Sequence, residues 1–388
     1  MLSKFGLLWS LIQVSTFSTA IPTQNDIRLS LPVEVERIEP RANVWIPPMK
    51  SNIQFVLTGV PDVTDDDEYI TPNAGIYEVD MFWIDKSTIK NMQRLGQKVI
   101  CYFSAATAEN WRDDYKQFQS KDLGKELPDW PGERYLDIRR PHVYEIISKR
   151  VQLAKDKGCD AIEPDNVGKL VGDNLSYSAR WLTEIDVYSN ENGFTPAIEP
   201  KDTVAYLHKI STLSRSLGMS VGIKNCIEIL GDIFPDVDFA ISEECVQYKN
   251  CTAYANFTTA PHKDAIAKPV FEVEYINYTY SGRWSEEGVA LSPNNFRYTN
   301  PAFPGLKDEA LRKVLCNLNE PGASLQNPYL KLNTIIKTLE LDGFVMFCDG
   351  RVERTRTKDV GQRQSYVRER AVQRVRNHMR RVEEMKEG

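Results

Sequence analysis

Short apolar runs recur along the chain, separated by segments whose apolar positions follow a helical period. The runs are Ile53 to Leu57, Gly75 to Asp80, Lys98 to Phe103, Cys159 to Ile162, Met219 to Ile223, Phe239 to Ile241, Pro269 to Val273 and Gly343 to Phe347. Their length and their β-branched and aromatic content mark them as buried strands. Between them, Ser87 to Leu95 stops at Gly96, Pro141 to Lys157 stops at Gly158, and Asp202 to Leu217 stops at Gly218. A glycine after the last periodic residue is a helix stop, and Asp202 is a candidate N-cap. Eight strands alternating with helices predict an α/β fold, a TIM (β/α)8 barrel.

Two of these strands end in carboxylates. Cys159-Asp160-Ala161-Ile162-Glu163-Pro164-Asp165-Asn166 carries acids and an amide at its end, and Pro164 is expected to stop the strand. Phe239-Ala240-Ile241-Ser242-Glu243-Glu244-Cys245 ends the same way. An acidic turn alone often does no more than cap the next element. Two such tips at the mouth of one barrel supply the pair of carboxylates that glycoside hydrolysis uses, one to protonate the leaving oxygen and one to attack the anomeric carbon or activate water.

The chain of 388 residues accommodates one barrel of about 250 residues with appendages. Its 41% hydrophobic and 26% charged residues suit a soluble globular enzyme, with no transmembrane segment. Residues 1–20 read as a secretory signal peptide: Lys4, an apolar centre from Phe5 to Val14, and small residues at Ser18-Thr19-Ala20. Residues 21–44 read as a linker or pro-segment, 45–350 as the barrel, and 351–388 as a basic tail, helical or disordered. In that tail Val367, Ala371, Val375 and Met379 recur at i+4 spacing.

Sequons at Asn174, Asn250, Asn256 and Asn277 agree with a secreted, extracellular or cell-wall-associated protein. An oxidising compartment allows selected cysteine pairs. Cys245 with Cys251 would clip a loop beside the second acidic tip, and Cys316 with Cys348 would tie the last helix to the last strand. Cys101 and Cys159 are expected as buried thiols inside strands, with Cys226 left over. The formal charge is −6, and the tail carries 12 basic against 6 acidic residues, so the rest of the chain is at −12. Such a body attracts a cationic substrate and repels nucleic acid.

Gly218 to Gly222 fits the nucleophile-elbow pattern, but it follows a helix and enters a strand, the reverse of what that motif needs. His142, His208, His262 and His378 lack metal-ligand spacing, and the sequence has no phosphate loop or dinucleotide fingerprint. No metal and no cofactor are expected. Gly168 to Ile185 interrupts a loop that should be short and reads as an insertion, by lineage or from a translated intron.

From about Trp45 to Gly350 the run of motifs resembles the endo-α-1,4-polygalactosaminidases, glycoside hydrolase family 114. The matching pieces are Tyr77-Glu78-Val79-Asp80, Lys98 to Ser104, Glu109-Asn110-Trp111-Arg112, Trp130-Pro131-Gly132-Glu133, Leu136-Asp137-Ile138-Arg139, Pro164-Asp165-Asn166, Gly222-Ile223-Lys224-Asn225 and Glu243-Glu244-Cys245. The resemblance implies a barrel hydrolysing an α-1,4-linked galactosamine-containing polysaccharide, with an Asp after the fourth strand and a Glu after the sixth. Those positions match Asp165, as nucleophile, and Glu243, as general acid/base, with Glu163 and Glu244 as rivals. A retaining mechanism follows if the carboxyls lie roughly 5 to 5.5 Å apart.

Asp80, Tyr102, Glu109, Lys224 and Asn225 stand at or beyond other strand ends and are candidate substrate contacts, together with Trp111, Glu163, Asn166 and Glu244. Trp111 and Trp130 are candidate sugar platforms. The insertion beside Asp165, the long stretch from Tyr275 to Pro304 and the basic tail depart from the family pattern. The alternative function is a noncatalytic glycan-binding or cell-wall barrel protein. Oligomeric state has no signature here.

Overall fold

The computed structural model describes residues 44–127, 130–168, 192–260, 263, 265–316 and 332–358. The expected signal peptide, most of the linker, the sequon at Asn174, nearly all of the insertion and residues 359–388 lie outside them.

Eight parallel strands follow one another in chain order: β1 (Ile53–Val56), β2 (Ile76–Asp80), β3 (Lys98–Ser104), β4 (Ala161–Asp165), β5 (Ser220–Lys224), β6 (Phe239–Glu243), β7 (Val270–Tyr275) and β8 (Leu332–Lys337). This is the TIM-barrel order. Seven coincide with the predicted apolar runs. The eighth does not: Gly343 to Phe347 is not the last parallel strand, because β9 (Phe344–Phe347) runs antiparallel to β8, and β10 (Val352–Arg354) runs antiparallel to β9. The sequence of β8 has only Ile335 and Ile336 as its apolar middle, between Asn333, Thr334 and Lys337, so it lacks the look of a buried strand.

Lys337 explains how so polar a strand is buried. Its ammonium donates to Gln54 Oε1 at 3.0 Å, Phe55 O at 2.7 Å and Asp342 O at 2.8 Å, and also to Phe344 O. A buried ammonium needs its three protons matched by acceptors, and here β1, the turn at Asp342 and β9 supply them. The same junction is joined by the Leu57 and Thr58 amides, both donating to Leu341 O.

Alternation sorts the strand side chains into two layers. Ile53, Phe55, Ile76, Ile100, Phe239, Phe271, Ile335, Val345 and Phe347 fill the barrel floor. Val99, Phe103, Ile162, Val221 and Ile223 face outward onto Ile89 and Met92 of α1 (Lys86–Arg94), Ile146, Ile147 and Val151 of α2 (Pro141–Lys157) and Leu207 and Ile210 of α3 (Pro200–Ser216). Gly222 makes room in the floor: a Cβ there would lie 2.2 Å from the Phe239 ring.

The helix α2 ends at Gly158 in the left-handed conformation, φ 94°. In α3 the N-cap is Glu199 and not Asp202, whose carboxylate instead accepts the Glu199 N–H at 2.8 Å from the third helical position. Pro164 does not stop β4. It pairs in register with Phe103, and the ladder to β5 has already ended at Ile162, so the missing N–H breaks no bond there.

Cys101 and Cys159 are not thiols but a disulfide, across the helix-facing side of neighbouring strands with Cα atoms 6.0 Å apart. Cys245–Cys251 and Cys316–Cys348 are also bonded, and Cys226 is buried. Residues 351–358, assigned to the tail from sequence, instead supply β10 and a short strand, Thr357–Lys358, paired with Val60–Pro61. Asn277–Tyr280 and Phe296–Thr299 form a separate hairpin within the stretch from Tyr275 to Pro304. Among the described residues no helix is long and apolar enough to cross a membrane.

Candidate active site

A cleft opens at the C-terminal ends of the strands, lined among others by Asp80, Tyr102, Asp165, Lys224, Glu243 and Tyr275 from the strands themselves. Asp165, Lys224 and Glu243 are the last residues of β4, β5 and β6, so the middle strand carries a cation between two acids. Lys224 Nζ stands 3.1 Å from Asp165 Oδ2 and 3.0 Å from Glu243 Oε2. One ammonium at those distances keeps the two oxygens within roughly 6 Å of each other. Burial opposes the charge on Lys224, but Asp165, Glu243 and Glu163 outweigh it and hold its pKa well above the ordinary lysine value.

The remaining oxygens are also fixed. Tyr275 Oη donates to Glu243 Oε1. Asn166 adopts the left-handed conformation, φ 65°, which asparagine tolerates, and its N–H donates to Asp165 Oδ1 at 2.6 Å. Its side-chain Nδ2 is anchored on Ser104 Oγ at 2.9 Å, and on Thr107 Oγ1 and Glu133 Oε1, both at 3.2 Å. Asn225, φ 51°, accepts the Glu243 N–H at 3.0 Å; it steers that backbone and does not line the cleft.

On the opposite wall Arg112 clamps two acids. It donates to Asp80 Oδ1 and Oδ2 at 2.9 and 2.7 Å and to Glu109 Oε2 and Oε1 at 2.9 and 2.8 Å. The guanidinium lies over the Phe82 and Trp83 rings, 4.4 and 5.1 Å from their centroids. Trp111, Trp130 and Asn166 also line the cleft.

Glu163 shares the face of Asp165 but sits one layer down, fully buried, and burial, with Asp165 and Glu78 nearby, pushes its pKa well above the carboxylate range. Glu78 is in the same state for the same first reason. Glu244, φ 58°, has its N–H on Val273 O; it is buried and lies outside the cleft lining. The cleft therefore gathers Asp80, Tyr102, Glu109, Trp111, Asp165, Asn166, Lys224 and Glu243, and leaves Glu163, Asn225 and Glu244 behind its walls.

Arg112, Glu133 and Tyr275 are cleft residues for which the sequence suggested no role. For Tyr275 the signal was register: β7 runs two residues past Val273, and position i+2 returns to the interior. Among the sequons, Asn256 is exposed while Asn250 and Asn277 are half-buried.

The model of glycoside-hydrolase family GH114 matches residues 36–353. The crystal structure of Aspergillus fumigatus Ega3 in complex with galactosamine is similar at 30% identity and a TM-score of 0.59, over 79% of this chain and 98% of that one. The glycoside hydrolase domain of PelA from Pseudomonas aeruginosa is similar at 9% identity and a TM-score of 0.47, over 75% of this chain and 96% of that one. No curated protein sequence matches.

Proposed function

The chain belongs to glycoside hydrolase family GH114 and is a glycoside hydrolase, and from that premise we propose that it is a secreted endo-glycosidase cleaving an α-1,4-linked galactosamine-containing polysaccharide with retention. Asp165 is the nucleophile and Glu243 the general acid/base. The observation that carries this reading is the single ammonium of Lys224 held between the two carboxylates.

In the first step Glu243 gives its proton to the glycosidic oxygen while Asp165 attacks the anomeric carbon, so the negative charge passes from Asp165 to Glu243. In the second step Glu243 takes a proton from water, the hydroxide displaces Asp165, and the charge returns. One negative charge is present throughout, and Lys224 is within hydrogen-bond reach of both places it occupies. A fixed cation that serves both states needs no reorganisation between steps.

The substrate class draws support from the galactosamine held by the similar Ega3 and from the acidic body, at −12 outside the tail. Secretion draws support from three disulfides, which persist in oxidising compartments. Mass spectrometry of products from deacetylated galactosamine oligomers tests the activity, and proton NMR of the first product tests the stereochemistry. New reducing ends of the α configuration are expected; binding without new reducing ends would instead make this a glycan-binding barrel.

A further inference from the structure

Charge pairing inside the cleft leaves one buried acid over. Asp80 and Glu109 are both satisfied by Arg112, and Asp165 and Glu243 share Lys224. Glu133 lines the same cleft, is only 4% exposed, and has no ion-pair partner among the described residues. Its Oε1 accepts the Thr107 hydroxyl and Asn166 Nδ2, while its Oε2 takes no hydrogen bond from the described residues. We infer that Glu133 is the specificity residue that selects a sugar bearing a free ammonium over its N-acetylated form. The inference rests on the substrate class proposed above.

The physical case is one of compensation. A buried carboxyl without a cation is costly to ionise, and a ligand ammonium entering the cleft supplies what the protein omits. An acetamido group brings no charge and leaves that carboxyl as it was. Glu340, at the rim and half-exposed, is the other lining acid without a cation among the described residues, but solvent screens it.

Burial, followed by the charge of Glu109, pushes the free-enzyme pKa of Glu133 up to about 8, so near pH 7 it holds a proton. An ammonium beside it favours the carboxylate, so binding of the amino sugar breaks the O–H bond and passes that proton to the buffer.

Two measurements test the inference. The first is calorimetry of wild-type protein with galactosamine and with N-acetylgalactosamine at pH 7, in two buffers of different ionisation enthalpy. Release approaching one proton is expected for galactosamine and none for the acetylated sugar; equal release for both overturns the inference, and this readout needs no variant. The second is the ratio of kcat/KM on deacetylated and N-acetylated oligomers.

Glu133→Gln is expected to lower that ratio at least tenfold, with partial recovery in Glu133→Asp. A merely structural role lowers both rates together and keeps the ratio, which overturns the inference, as does loss of preference in Glu340→Gln but not in Glu133→Gln. In those cases the wild type still cleaves and the proposed function stands. Cleavage of neither oligomer by the wild type removes that function and the inference with it.

Discussion

Tyr275 donates its hydroxyl to Glu243 Oε1, the oxygen opposite the one that faces Lys224. The carboxyl of the proposed acid/base is thereby fixed in rotation from both sides. Tyr275→Phe is expected to reduce kcat about 10- to 100-fold while costing only about 1 kcal/mol of stability, the worth of one hydrogen bond. Steady-state kinetics and chemical denaturation of the same preparation check it. A variant with unchanged kcat would remove Tyr275 from the machinery.

The two carboxylates fail in different ways when neutralised. Asp165→Asn and Glu243→Gln are each expected to lower turnover on natural oligomers by about a thousandfold or more. With an aryl glycoside whose leaving group needs no proton, Glu243→Gln should still accumulate a glycosyl-enzyme, and Asp165→Asn should not. Peptide mapping of the trapped species locates the adduct. An adduct on Glu243 would reverse the roles.

Lys224→Met strips the shared cation from two nearly buried acids. Loss of one partner from a buried ionic group typically costs 3 to 5 kcal/mol, so the variant should unfold at markedly lower denaturant as well as lose activity. Adding Asp165→Asn to it should restore part of the stability without restoring turnover. Independent, additive losses in the double variant would contradict the shared-cation geometry.

Stability should fall as pH rises through neutrality. On the outer face of β7, Glu272 Oε1 accepts the Cys245 N–H at 3.0 Å and Glu274 Oε1 the Val246 N–H at 2.8 Å. Burial pushes Glu272 up to about 8, while the unfolded chain ionises it near 4.5. Between those values the folded state binds more protons than the unfolded one, so each pH unit removes up to about 1.4 kcal/mol for a fully shifted group. Glu272→Gln should flatten the profile measured by denaturation between pH 5 and 8, leaving the contributions of Glu78, Glu133, Glu163 and Glu274, which have the same sign. A slope equal to that of the wild type would exclude Glu272 as its source.

The Cys101–Cys159 bond closes a loop of 58 residues in sequence. Replacing both cysteines by serine should cost about 3 to 5 kcal/mol, mostly through a less restricted unfolded chain. Cys245–Cys251, only six residues apart, should cost less. The ranking of the two double-serine variants in denaturant is the test.

Seven parallel strands, α2 with its glycine stop, and the acids at the ends of β4 and β6 were legible because each is a local pattern of period, punctuation and tip charge. What stayed hidden depended on pairing across the chain. The Cys101–Cys159 bond needs two strands in neighbouring positions. Burial of β8 depends on acceptors for Lys337 that come from Gln54, Phe55, Asp342 and Phe344. The true ends of β4 and β7 are hidden because Pro164 reads as a stop, and because Tyr275 points inward only if β7 runs two residues past Val273. Glu163 and Asp165 look alike in sequence, and only their depth separates an acid buried behind the cleft from one that lines it.

The join between β8 and β1 gives the barrel an unequal circumference. Elsewhere neighbouring parallel strands are laced by rows of amides, whereas here one ammonium and the carbonyl of Leu341 do most of the lacing. The ring is thus a strip with a clasp, and the clasp lies beside the cleft, since Leu57, Thr58, Leu339 and Leu341 line that wall. The part of the wall with the fewest bonds between strands is thus set apart from Asp165, Lys224 and Glu243, which stand on three consecutive strands of the laced side, where rows of amides hold their spacing.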